Sequence, residues 1–275
     1  MSEAIVRQLM PVYGFLERNF RLLQRYWAWE LVWFLYTLAI TLSIGFLAVG
    51  MEMVSGVKVP QNRVLVFLLT GSLVWRYLSQ IFWETSNVIS WERWEGTIEY
   101  TFMAPISRVT QLLAMSVYGT VYAGVIFVAM LAICAAIFHI DLSAANLLGA
   151  LLILAASTLS LVGLGLMSAC MPLMSPEKGT QMTGIIEAVL LMISGIYYPI
   201  EVLPGWLQYV AKVSPITYTL KGMRACLIDG IGMAEVWAYV WPLLIVGALL
   251  VPAGIKVFAI AERYCKRKGT LKRSG

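Results

Sequence analysis

The sequence predicts an all-α polytopic membrane protein. Three observations lead there. The chain has 275 residues, of which 60% are hydrophobic and only 13% charged. A soluble domain is nearer ~45–50% apolar and ~25% charged, and a chain of this size could not bury the excess. Six stretches are long and apolar enough to cross hydrocarbon as helices, which takes about 20 residues each. None shows the in–out alternation of a membrane barrel. Soluble enzymes, disordered chains and disulfide mini-domains are thereby excluded, and the length leaves no room for a second globular domain.

The chain opens with Arg7 and a short apolar run broken by Pro11, which is not a cleavable signal. Over 14–27, Leu16, Phe20, Leu23 and Trp27 share one helical face, with Arg18, Arg21 and Arg25 opposite. That pattern predicts an amphipathic helix lying in the interface, its basic side toward headgroups or a partner. The spans follow at Leu31–Met51, Val64–Ile89, Gln111–Phe138, Asn146–Met171, Thr180–Tyr198 and Val236–Ile260.

Orientation follows from Lys and Arg. Thirteen lie on one set of flanks: Arg7, Arg18, Arg21 and Arg25 before the first span, Arg93, Arg108 and Lys178 in even connections, and Arg263, Lys266, Arg267, Lys268, Lys272 and Arg273 after the last. Five lie on the other: Lys58, Arg63, Lys212, Lys221 and Arg224. Both termini are therefore expected in the cytoplasm, with the basic tail at 261–275 against anionic lipid. Nothing here calls for nucleic acid. The four cysteines, Cys134, Cys170, Cys226 and Cys265, form no CxxC pair, so neither a disulfide framework nor a metal site is expected.

The stretch 195–235 is mostly apolar yet interrupted by Pro199, Pro204 and Pro215. The pieces between are too short to cross, so 196–215 reads as a re-entrant segment of short helices dipping into the outer leaflet. Trp206, Tyr209 and Tyr218 suit the interface there.

Inside the spans, Arg76, Gln80 and Glu84 follow one another along the second, and Glu187 lies in the fifth. Charges in hydrocarbon must be paired or wet. They could line a conduit, or serve as internal glue with Arg76 paired to Glu187 or Glu84. Ser116, Thr120 and Gly124, spaced by four in the third span, and Gly163 and Gly165 in the fourth favour close helix contact. His139 reads as a span-end residue. The connection WERWEGTIEYTFMAPISR, 91–108, concentrates Glu92, Glu95 and Glu99 with Trp91, Trp94, Tyr100 and Phe102 in one inside loop, as a docking surface would. No phosphate-cradling GxxxxGK[ST], HExxH, GxSxG or clustered His/Cys/carboxylate site occurs. The chain has no catalytic residues of its own, and any ATPase must be a separate chain.

With these pieces in this order, the sequence resembles the ABC-2 family of ATP-binding-cassette transporter permeases, mostly exporters, over essentially its whole length. The marks are EGTIEYTFMAPISR at 95–108, SGIYYPIEVLPGWLQYVAKVSPITY at 194–218, and Arg224 after it. The resemblance implies a single six-helix domain over 1–275, paired with a second copy or a paralogue. It implies two separate ATPase subunits holding ATP and Mg. It also implies a coupling helix in the 90–105 region, where Glu95, Gly96, Thr97, Glu99 and Pro105 match, a re-entrant element carrying Pro199, Glu201 and Pro204, and a bacterial inner-membrane setting. A small amphipathic cargo such as a drug, antibiotic or lipid is expected. Alternatives are export of a lipid-linked polysaccharide, an ion-driven secondary transporter, and a noncatalytic scaffold.

Overall fold

A computed structural model describes the backbone of residues 2–55 and 61–269 and the side chains of 10–51 and 63–269. Lys58, Lys272, Arg273 and the side chain of Arg7 therefore lie outside the described residues. The described chain is helical throughout: α1 (Ser2–Arg25), α2 (Trp27–Ser55), α3 (Gln61–Ser86), α4 (Val88–Glu95), α5 (Ile98–Met103), α6 (Arg108–Phe138), α7 (Leu147–Ser168), α8 (Cys170–Met174), α9 (Gly179–Ile193), a 3-10 turn (Ile200–Val202), α10 (Gly205–Val213), α11 (Pro215–Leu227) and α12 (Met233–Lys268).

Five helices are long and apolar enough to cross a membrane: α2, α3, α6, α7 continued by α8, and α12. The predicted fifth span, 180–198, is shorter than expected. Its helix ends at Ile193 after 15 residues. Beyond it Gly195 takes φ 68°, which only glycine adopts without strain, and Pro199 lacks the N–H to continue a helix. The second span also stops early, because the chain breaks at Asn87 into α4. At the N-terminus the amphipathic helix is longer than 14–27 and runs through Pro11.

α3 is the central helix. In its most apolar stretch 72% of residues are buried, against 22% in each of α2, α6 and α12. Its inner faces meet α6, α7 and α11, around Leu78, Ile81 and Phe82. α12 lies along α7, and small residues allow the approach. A Cβ on Gly163 would sit 2.5 Å from Leu250, one on Gly254 2.7 Å from the Gly163 carbonyl, and one on Gly247 2.7 Å from Leu159. Dispersion between close backbones is what holds helices together where lipid is as apolar as leucine. Of the predicted stripe in the third span, Ser116 does meet a neighbour, bonding Thr85 at 2.9 Å. Gly124 faces open space, and Gly119 instead makes the contact, against Glu84.

The bundle has two distinct ends. At one, Leu16 and Leu23 of α1 pack on the core, and Phe20 meets Tyr118 edge-on at 5.4 Å. The same end holds α4, α5 and α8, and the close of α12 reaches it where Cys265 approaches the Leu173 carbonyl at 3.7 Å. The first helix and the end of the last thus share one end. At the other, the Asn146 amide N–H donates to the Cys226 carbonyl (3.0 Å), and its side chain donates to that of Ile231 (2.8 Å). His139 closes α6 there in a left-handed conformation. Trp206 and Tyr209 are exposed, at 69% and 75%.

Candidate functional site

The 91–108 connection is a folded unit. α4 ends at Gly96, whose φ of 75° lets its N–H return to the Arg93 carbonyl. Ile98 is fully buried and anchors α5. Ser107 caps α6 by accepting the Thr110 N–H at 3.1 Å. Arg93 donates to the carbonyls of Pro172 and Leu173, fastening α4 to α8. Burial pushes the Arg93 guanidinium below its ordinary pKa. Arg108 is buried with its charge 4.2 Å above the Phe102 ring.

Glu92 departs from the expected exposed docking acid. It is 2% exposed and sits at the centre of the unit. One carboxylate oxygen accepts from Arg18 Nη1 and Gln111 Nε2, both at 3.1 Å. The other accepts from the hydroxyls of Thr97 (2.5 Å) and Thr101 (2.7 Å). A single carboxylate therefore joins α1, α4, α5 and α6, with its main lone-pair directions filled. Arg18 also reaches Glu95 at 3.7 Å, so it turns inward and leaves the basic face predicted for it. Arg21 stays outside, paired with Glu17, and Arg25 is exposed.

The outer surface of the unit is apolar and acidic. Trp91, Trp94, Tyr100 and Met103 are 49%, 77%, 78% and 80% exposed, beside exposed Glu95, Glu99 and Pro105. Trp91 and Trp94 meet edge-on at 5.4 Å.

Within the bundle the structure gathers the predicted polar residues and adds others. Gln80 donates to Glu84 at 2.8 Å. Ser79 donates to Glu187, bringing α9 onto α3. Tyr122 donates to Glu30 at 2.7 Å, drawing in the start of α2. Arg76 feels Tyr122, Glu187, Glu84 and Glu30 around it. It forms no ion pair with any described residue within 4.0 Å, so the expected direct pairing with Glu187 or Glu84 is not made. A small recess of about 10 Å³ beside Arg76, Gln80 and Tyr122 is large enough for about one water.

At the opposite end Arg224 fixes the turn after α9. It donates to the carbonyls of Gly195 (3.2 Å) and Ile196 (2.7 Å), and stacks 3.5 Å over Phe67. A Cβ on Gly71 would lie 2.2 Å from the Ile196 carbonyl, so α3 must be bare there. Pro199 precedes the 3-10 turn, Pro204 precedes α10, and Glu201 is exposed.

The residues that bind the unit together were partly invisible in sequence. Gln111 and Thr101 are ordinary polar residues in apolar surroundings, and Glu30 lies at a span edge. A four-residue spacing from Thr97 to Thr101, with a carboxylate five residues before Thr97, was the signal available. Among the described residues no three His, Cys, Asp or Glu are placed to hold a metal ion.

Five helices long and apolar enough to cross a membrane, gathered in one bundle, define a polytopic membrane protein. Residues 12–228 match the ABC-2 type transporter family, and the chain belongs to it. It is 28% identical over 98 residues to the linearmycin resistance permease protein LnrN of Bacillus subtilis, covering 36% of this chain and 25% of that one. It is 26% identical over 180 residues to the probable multidrug ABC transporter permease YbhR of Escherichia coli (strain K12), covering 63% of this chain and 47% of that one. The chain thus spans a quarter to about half the length of these curated relatives.

Proposed function

We propose that this permease exports a small amphipathic molecule, driven by two separate ATPase subunits that bind ATP and Mg. The observation that carries the reading is the Glu92-centred unit: an exposed aromatic and acidic face backed by a fully bonded carboxylate that reaches three other helices. The ATPases dock on Trp91, Trp94, Glu95, Glu99 and Tyr100. Their closure on ATP pushes α4 and α5, and Glu92 passes the displacement to α1 and α6. The helices then shift between two packed states, which is how a local contact becomes a large motion. Hydrolysis resets the cycle.

The end bearing α1, α4 and the close of α12 is cytoplasmic on this reading, in a bacterial inner membrane. α9 is a sixth, short crossing. Its 15 residues rise about 22 Å, and the mismatch with a hydrocarbon core of about 30 Å is taken up by local thinning and by the re-entrant helices. A second copy or a paralogue completes the core. The names of the relatives, multidrug and linearmycin resistance, support an amphipathic cargo.

The test is reconstitution with the ATPase in lipid vesicles, measuring hydrolysis and vectorial movement over a panel of amphiphiles. Stimulated hydrolysis with outward movement of at least one is the expected result. Flux that needs an ion gradient and no ATP would reject the assignment.

A further inference from the structure

Two recesses meet at the end of the bundle away from α1 and α4. The first is an apolar groove of about 750 Å³ between α2 and α3, walled by Ile44 and Leu47 among others. The second is a cavity of about 330 Å³ beneath the turn after α9, whose mixed lining includes the charged Glu201, Lys221, Arg224 and Asp229. Phe67 and Pro199 line both, so the two share a wall. Arg224 holds that wall in place by lying over the Phe67 ring.

Each recess alone is unremarkable in a membrane protein. Their junction is selective. A bare hydrocarbon has no use for the cavity, and a small polar solute has none for the groove. Arg63 also lines the groove, which suits a chain that carries a phosphate. The cavity holds two cations and two carboxylates. None of Glu201, Lys221 and Asp229 pairs with a described residue within 4.0 Å. A purely anionic head would leave the carboxylates facing it, and a purely cationic head would leave Lys221 and Arg224. A head with a phosphate and an ammonium answers both signs at once.

We propose that this paired recess binds a zwitterionic phospholipid. Its phosphate lies toward Lys221 and Arg224, its ammonium toward Glu201 and Asp229, and an acyl chain fills the groove past Phe67. The site belongs to the permease itself and does not depend on what the transporter moves.

The test uses the purified full-length permease in a nonionic detergent. The probe is a lysophosphatidylcholine carrying a dansyl group at the end of its acyl chain, displaced by twelve-carbon amphiphiles with phosphocholine, sulfate or trimethylammonium heads. One probe per chain is expected, with the phosphocholine competitor about tenfold stronger than either singly charged one. Leu47→Trp, which fills the groove, and Lys221→Glu, at an exposed position, should each weaken the probe by about tenfold. Adding Glu201→Lys to Lys221→Glu should restore part of the loss, since the cavity again holds two cations and two carboxylates. A monodisperse elution profile for each variant separates lost binding from lost fold. Equal displacement by all three heads, or unchanged binding in Leu47→Trp, would overturn the proposal. So would efficient copy-to-copy crosslinking of Leu47→Cys, because a second copy would then occupy the groove.

Discussion

Arg18 of the first helix reaches Glu92 at 3.1 Å across 74 positions of sequence, and Glu92 is almost wholly buried when it does so. The pair ties an N-terminal amphipathic helix to the connection between two membrane helices. Without it α1 would meet α6 through apolar contacts and the hydrogen bond from the Asn19 side chain to the Met115 sulfur at 3.2 Å.

Replacing Glu92 by alanine removes the acceptor for four donors at once. Arg18 is partly exposed and keeps some hydration, so the loss should fall near the low end for a broken buried pair, about 3 kcal/mol. Glu92→Gln keeps the shape but loses the charge and supplies donors where only acceptors fit, and should cost about half as much. Thermal unfolding of the purified permease measures both. On the proposed mechanism Glu92→Gln also lowers ATPase stimulation while the exposed face stays intact.

The double change Glu95→Lys and Glu99→Lys alters only exposed groups. It should leave insertion and thermal stability within about 0.5 kcal/mol of the parent, apart from the long Arg18–Glu95 contact. Stimulated hydrolysis and export should fall together. Unaltered coupling in reconstituted vesicles would remove this face from the docking surface.

Glycines predict opposite outcomes by position. Gly254→Leu drives a side chain into the Gly163 carbonyl, and backbone cannot swing aside as a side chain can. Destabilisation of about 3 kcal/mol or failure to fold is expected. Gly124→Ala meets nothing within 4 Å and should stabilise its helix by up to about 1 kcal/mol. Expression level and melting temperature in the same detergent compare them.

Arg76→Met leaves Glu30, Glu84 and Glu187 with no cation among them. If the cluster is internal glue, folding suffers, and Glu187→Gln added to Arg76→Met restores stability without transport being affected. If the cluster lines the pathway, the double variant folds but changes the order of preference among cationic and anionic amphiphiles. A substrate panel on the double variant distinguishes the two.

Arg224→Lys replaces a planar fork by a point charge. The contacts with Gly195 and Ile196 and the stacking on Phe67 cannot all be kept. About 1–2 kcal/mol of stability should be lost, with faster proteolysis in the turn after α9.

Much of the fold was legible because hydropathy is a property of composition. The long helices at α2, α6, α7 and α12 lie where apolar runs place them, and the break near Pro199 follows from a missing N–H. The early end of α9 was less legible. It depends on Gly195 adopting a positive φ under two hydrogen bonds from Arg224, a contact 29 positions away. The connection at 91–108 was recognisable from its residues, but its inside and outside were not. Whether Glu92 faces solvent or core is decided largely by Arg18 and Gln111, 74 and 19 positions away, neither of which carries a local signal. The Arg76 cluster was half visible. Its carboxylate in α2 and its phenol in α6 join only when those helices are packed.

The bonding of Glu92 also bears on how such permeases can be recombined. A designer exchanging the 91–108 connection between two members of the family would transplant Glu92 together with Thr97 and Thr101. Arg18 and Gln111 would stay behind in the recipient. Unless the recipient happens to carry an equivalent guanidinium and amide, the graft arrives with a sequestered negative charge facing foreign neighbours. Modular exchange in this protein therefore has a minimum cassette that is discontinuous in the gene.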